Sequence, residues 1–165
     1  MHLAQMNVAR LLAPADDPRI ADFIDGLEPI NALADAAPGF VWRKQANEDD
    51  PRELLSYEHD DFLATTLSVW ESRQALWDFV YRSAHLDYLR RRREWFHHIA
   101  EPYSVMWWVQ EGHLPTTAEG FARLEILRAQ GPGPEAFTFK DFYEAADATP
   151  MPRHISSWVP SPQTT

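Results

Sequence analysis

The sequence contains no cysteine, which excludes a disulfide framework, a thiolate metal site and a cysteine nucleophile together. A cytoplasmic location is the corresponding expectation. Basic charge is also short: 15 Lys and Arg stand against 25 Asp and Glu, a formal net charge of −10. A field of that sign repels polyanions, so neither nucleic acid nor an anionic membrane is expected as a partner. No run of 18 apolar residues occurs, and the opening "MHLAQMNVARLLAP" lacks a basic start before a long apolar stretch. Neither a membrane span nor a signal peptide is therefore expected. There are only six glycines, and no Gly-rich phosphate loop, G-x-G-x-x-G or G-x-S-x-G is present, so nucleotide cofactors and serine-hydrolase chemistry have no support.

Aromatic residues are abundant: seven Trp, nine Phe and five Tyr in 165 residues, 45 % of which are hydrophobic. That is enough for one domain with a sizeable core and too little for two. The aromatic surplus fits either the core itself or a pocket for a flat or apolar ligand.

Along the chain, "HLAQMNVARL" (2–11) reads as a strand with Leu3, Gln5 and Asn7 on one face and Ala4, Met6 and Val8 on the other. A helix is expected over 16–39, opened by Asp-Pro, kinked or restarted at Pro29 and ended by Pro38-Gly39. "GFVWRKQ" (39–45) is a short strand, followed by a polar loop or irregular hairpin arm. "FLATTLSVWES" (62–72) is a strand with Thr66, Ser68 and Trp70 on one face and Leu67 and Val69 on the other. A helix capped by Ser72 follows, then a second helix from Ser83 to about Ile99, then a strand over 103–112. The order βαββαβ is that of a ferredoxin-like α+β fold, one antiparallel sheet with helices on one face. The other face would carry Met6, Val8, Leu67 and Val69 bare, which predicts a partner sheet and a homodimer. The expected organisation is a domain over 1–112, a C-terminal helix with a short extended segment over 113–139, and an extended or disordered tail over 140–165.

The segments "HLAQMNVARLLAPADDPR", "INALADAAPGFVWR", "LSVWESRQALWDFVYRSAHLDYLRRRREWF", "EPYSVMWWVQEGHLPT" and "RLEILRAQGPGPEAFTF" resemble the DUF3291 family. They cover most of residues 2–139; the loop over 46–62 and the chain after 140 depart from the resemblance. DUF3291 in turn resembles the dimeric α+β barrel superfamily that includes antibiotic-biosynthesis monooxygenases. The resemblance implies a dimeric barrel fold and chemistry in a cavity between each sheet and its own helices. The superfamily includes cofactor-free oxygenases, heme-degrading enzymes, heme peroxidases, and isomerases or dehydratases. For the heme-degrading branch, the first-strand Asn corresponds to Asn7, but the helical Trp falls on Phe79 and the proximal His near Leu89 or Arg90. That mechanism does not carry over; heme held by His85 is left without a motif, and no cofactor is expected.

Four consecutive arginines, Arg90 to Arg93, stand out in so acidic a chain. On a wheel of about 100° per residue, Leu86, Leu89, Phe96 and Ile99 form one arc, Arg93 lies inside it, and Arg92 and His85 lie on its edge. Arg90, Arg91 and Glu94 point away. A guanidinium facing the sheet must be paired, either with a protein carboxylate or with a ligand anion. His85 sits at a helix start, where the dipole disfavours imidazolium and leaves a neutral base or ligand. The expected function is cofactor-independent oxygenation of an aromatic or polyketide-like molecule, with His85, Arg93 and Asn7 catalytic. Gln5, Trp42, Trp70, Phe79, Leu89, Arg92, Phe96 and Trp107 are the expected substrate contacts. An isomerase, cyclase or dehydratase using the same acid-base groups, or a protein that binds heme or another flat ligand, is the alternative. Glu94, His97 and His98 lack the H-E-x-x-H arrangement, so no metal site is expected.

Overall fold

The computed structural model describes residues 1–45, 60 and 62–148. Four strands, β1 (His2–Arg10), β2 (Phe40–Arg43), β3 (Leu63–Trp70) and β4 (Ser104–Val109), form one sheet in the order β2-β3-β1-β4 with every neighbour antiparallel. With α1 (Ala21–Asp35) between β1 and β2 and α2 (Arg73–Arg82) between β3 and β4, this is the ferredoxin-like α+β fold. Each strand begins and ends close to where the alternation of its side chains places it.

The helices follow their capping chemistry. Asp17 accepts from the Arg19 backbone N–H and opens a 3-10 turn over Pro18–Ile20 that leads into α1. The Arg19 guanidinium bonds the same carboxylate and holds its pKa down at about 2. α1 runs uninterrupted through Pro29, which faces solvent, so the expected restart does not occur. Ser72 Oγ accepts from Ala75 N–H at the start of α2. Ser83 then breaks the helix with an extended backbone, and a six-residue α3 (His85–Arg90) follows.

The expected helix to residue 99 stops at Arg90. The chain passes through a 3-10 turn, Arg92–Glu94, and turns back alongside the end of β1, where Leu12 N–H donates to Trp95 O and His97 N–H to Arg10 O, both at 2.9 Å. Trp95 explains the break. Its ring is 1 % exposed and packs against Phe23 at 5.7 Å and Tyr88 at 5.8 Å, contacts that outweigh the helical propensity of the arginine run.

The crossover helices share one face of the sheet. The opposite face is not bare. α4 (Thr117–Gln130), capped by Thr116 Oγ1, lays Leu124 and Leu127 onto Ala4, Met6, Val8, Leu67, Val69, Val105, Trp107 and Val109. Gly120 sits directly against the Met6 side chain, a close approach that only a residue without Cβ allows. Met6 is 0 % exposed and Val69 1 % exposed within the single chain. The apolar surface that argued for a partner sheet is therefore consumed by the chain's own helix, and a sheet-to-sheet dimer has nothing there left to bury.

Residues 113–139 are consequently integral to the core rather than an appendage. After Gly131 the chain rounds the β4 edge: Met106 and Phe137 exchange both backbone hydrogen bonds, at 2.8 and 2.9 Å, and Phe137 is fully buried with Leu3 and Trp70 on the crossover-helix face. Phe139, Phe142 and Tyr143 pack onto the same cluster, so the ordered chain continues past residue 140 to a 3-10 turn at Ala145–Asp147. Residues 46–59 and 61 of the loop expected over 46–62, and residues 149–165 of the tail expected from 140, lie outside the described residues.

Candidate active site

The crossover-helix face of the sheet carries two separate apolar clusters. One contains Leu3, Trp70, Leu76, Met106 and Phe137; the other contains Leu11, Ile20, Ala64 and Trp95. Between them the same face changes chemistry. Pairing sets Gln5 opposite Ser68 on β3 and Met106 on β4, and sets Asn7 opposite Thr66 and Ser104. Opposed residues of an antiparallel pair project to one side. Gln5, Asn7, Thr66, Ser68 and Ser104 therefore form a continuous polar floor spanning three strands.

The floor is internally hydrogen-bonded. Asn7 Nδ2 donates to Thr66 Oγ1 at 3.1 Å, Gln5 Nε2 to Ser104 Oγ at 3.5 Å, and the buried Trp70 Nε1–H to Ser68 Oγ at 2.9 Å. Gln5 is 7 % exposed, Asn7, Ser68 and Ser104 are partly exposed, and Thr66 is exposed. The helical layer thus closes over the two apolar clusters and leaves solvent access to the polar strip between them.

His85 joins this region through an aromatic stack. Its ring lies 5.0 Å from Phe79, Phe79 stacks on Trp70 at 5.1 Å with 24° between planes, and Trp70 reaches Ser68. Ser83 Oγ accepts from His85 N–H, fixing the start of α3. His85 Nδ1 lies 3.1 Å from the Val80 carbonyl. A carbonyl only accepts, so Nδ1 carries the proton and Nε2 holds the lone pair. Burial pushes the imidazole pKa below its ordinary value, and the Val80 bond opposes that only in part. Burial therefore favours the neutral ring.

The structure sets Gln5 and Asn7 on the floor with Trp70 at its edge, and Phe79 and His85 follow from Trp70 only through successive ring contacts. It separates the others. Trp42 pairs with Val69 and packs with Trp107 under α4, on the opposite face from Asn7. Trp107 is 1 % exposed and spends its N–H on Glu119 at 3.0 Å, so it is a core residue tied to α4. Trp108, the next residue of β4, lies on the crossover-helix side, with its N–H on the Tyr143 carbonyl. Phe96 packs on Phe23 at 4.9 Å in the second apolar cluster, and Leu89 is half-buried on α3.

The arginines are redistributed because the helix ends early. Arg92 is exposed and donates to the Leu89 carbonyl that terminates α3, and Arg93 is exposed on the 3-10 turn with no ion pair to any described residue. Arg90 pairs only with its helix neighbour Asp87 at 3.9 Å, whereas Arg91, assigned to solvent by the wheel, is the one that bridges two carboxylates, Asp22 at 2.7 Å and Glu94 at 2.9 Å, over the Trp95 ring face at 4.8 Å. Arg91 ties α1 to the turn after α3 and is not part of the floor. Glu94, His97 and His98 are exposed, and no group of three or more metal-ligating side chains occurs among the described residues.

Thr66, Ser68 and Ser104 were not singled out from the sequence as site residues. The alternation already put Thr66 and Ser68 beside Trp70, but only the register shows Ser104 next to Asn7. A cleft of about 300 Å³ at the end of α4, lined by Ile126, Gln130 and residues 131–136, has none of the floor residues among its walls.

The family model described as a domain of unknown function, DUF3291, matches residues 2–153. The chain belongs to the DUF3291 family. The match runs through the loop over 46–62 and past residue 140, where the resemblance was expected to lapse. No curated protein matches the chain. Among solved structures, the DUF3291 chain is similar to SnoaB, described as a cofactor-independent oxygenase from Streptomyces nogalater, at 15 % identity over 70 % of this chain and 98 % of that one, with a TM-score of 0.47. A single-residue mutant of SnoaB gives the same identity and coverage with a TM-score of 0.44. Among the described residues no helix is long and apolar enough to cross a membrane.

Proposed function

We propose that this DUF3291 protein is an enzyme that removes a proton from a small organic substrate held over the polar floor, with His85 as the base, and lets the resulting anion react directly with oxygen. The observation that carries this reading is His85 itself: neutral through burial, its Nδ1 occupied by Val80, its Nε2 lone pair available, and its ring tied through Phe79 and Trp70 to the edge of the floor. Such a base is matched to weakly acidic C–H or phenolic O–H groups near neutral pH. Gln5 and Asn7 supply amide donors where negative charge develops on the substrate oxygen. Arg93 is absent from this scheme, so neutral donors carry the oxyanion.

In the simplest case an activated CH₂ becomes C=O: both C–H bonds are broken, one oxygen atom enters the product and the other leaves as water, so four electrons pass to one O₂. No resident cofactor takes part in that balance. The test uses activated phenols, 1,3-diketones and anthrone-type ketones in an oxygen electrode, with exchange of the acidic C–H in D₂O followed without oxygen. Exchange and oxygen uptake that both fall at least a hundredfold in His85→Ala support the proposal. Exchange without oxygen uptake assigns an isomerase or cyclase instead, and an unchanged rate in a folded His85→Ala removes His85 from the chemistry.

A further inference from the structure

Each hydroxyl on the floor is already an acceptor. Ser68 Oγ takes the indole N–H of Trp70, and an indole nitrogen only donates, so the direction of that bond is fixed. Thr66 Oγ1 and Ser104 Oγ take amide protons from Asn7 and Gln5 in the same way. A hydroxyl carries one proton and two lone pairs. Accepting from the protein leaves its proton free, and none of the three donates to any described group.

The three hydroxyls also have a definite layout. Thr66 and Ser104 flank Asn7 on either side, which puts them two strand spacings apart, about 10 Å. Ser68 stands two residues along β3 from Thr66 on the same face, about 7 Å away. No Lys, Arg, Asp or Glu belongs to the block, and Gln5 is too buried to offer its oxygen freely, so Asn7 Oδ1 is the main competing acceptor. The array suits neutral or singly charged oxygen acceptors better than phosphates or dicarboxylates.

We infer that Thr66, Ser68 and Ser104 are specificity-determining donors that bind the acceptor oxygens of the substrate, selecting a molecule with two or more separated carbonyl or enolate oxygens over its hydrocarbon analogue. This rests on the floor being the substrate site of the proposed enzyme, but it concerns recognition and not the base. Two consequences follow from the geometry. A substrate oxygen meets hydroxyls whose protons are spent on no described group, so binding breaks no hydrogen bond of the floor. Replacing a hydroxyl by a group of similar shape removes affinity for the oxygenated ligand alone.

The experiment is calorimetric titration of the full chain with 1,4-naphthoquinone and with naphthalene, reading two oxygens against none on one ring system. The parent is expected to bind the quinone at least tenfold more tightly. Thr66→Val and Ser68→Ala should each weaken quinone binding about fivefold, the worth of one net hydrogen bond, and leave naphthalene binding unchanged. Thr66→Ser and Ser68→Thr, which keep the hydroxyl, should restore it. Ser68→Ala strands the Trp70 N–H, so Thr66→Val carries the test if the former does not fold. Equal affinity for the two ligands, no binding of the quinone, or quinone binding unaffected by Thr66→Val overturns the inference. His85→Ala is expected to bind the quinone as the parent does, so loss of turnover with intact selectivity, or the reverse, distinguishes failure of the base from failure of the donor array.

Discussion

Replacing Leu124 by alanine tests whether α4 closes the sheet within one chain. Leu124 is 0 % exposed in the cluster formed by α4 and the face that carries Met6, Val69 and Trp107. The helix is held at both ends, by the Thr116 cap at its start and by the Met106–Phe137 pairing after it, so it has little freedom to settle into the space left by the missing carbons. A buried Leu→Ala change with limited relaxation costs about 3 kcal/mol. In a chain of this size each kcal/mol lowers Tm by about 3 °C, so Leu124→Ala should melt roughly 9 °C below the parent. The assay is thermal and urea denaturation followed by circular dichroism at two protein concentrations tenfold apart. If one chain completes the core, the midpoint is the same at both concentrations for parent and variant. A loss below about 1 kcal/mol, or a midpoint that rises with concentration as an obligate dimer's does, would refute the assignment of this face to α4.

Other substitutions probe the remaining joints. Gly26→Ala gains helix propensity, but its methyl enters the Tyr88 ring; a net loss of about 1 to 2 kcal/mol in urea unfolding is expected. Trp107→Phe keeps an aromatic ring but loses part of the buried indole together with its donor to Glu119, which should cost at least about 2 kcal/mol by the same measurement. Because the folded-state pKa of His85 lies below its ordinary 6.5, the unfolded chain takes up the proton first. The stability from burying the neutral ring is therefore present above pH 6.5 and lost as pH falls through the folded-state value, and His85→Gln should flatten the decline in Tm between pH 7.5 and 5.5. Arg93→Ala should leave Tm and turnover unchanged, whereas Arg91→Ala should lower Tm in a differential scan, since only Arg91 bridges Asp22 and Glu94.

The strands and the division of their side chains between two faces were legible because alternation is a local property of the chain. Leu3, Gln5 and Asn7 are separated from Met6 and Val8 by the pleat alone. Register is not local. Nothing in "YSVMWWVQEG" says that Ser104 stands beside Asn7, so the polar floor became visible only when three strands were aligned. The arginine wheel failed for a related reason. A wheel presumes one continuous helix, and the spacing of Leu86, Leu89 and Phe96 supports one, but the burial of Trp95 against Phe23 and Tyr88 ends it at Arg90. Past that residue the projected angles have no meaning. The bare-face argument erred in the opposite direction. A C-terminal helix within 113–139 was expected, yet the presence of a helix does not name the surface it covers.

A polar block in the middle of this face is expensive for a sheet that only has to fold. Asn has poor strand propensity, and the positions of Asn7 and Thr66 lie between two clusters that valine would join into one core. One of the hydroxyls has a structural duty, because Trp70 buries an N–H that Ser68 must satisfy. That duty does not extend to Asn7, Thr66 or Ser104, whose hydrogen bonds serve only one another and the neighbouring Gln5. The block is thus satisfied without a ligand, as partial burial requires, while its three hydroxyl protons are spent on no described group. A site prepared in this way gains its selectivity from donors fixed on strands rather than from mobile charged side chains. The exposed arginines beyond α3 are therefore not needed to hold a substrate oxygen.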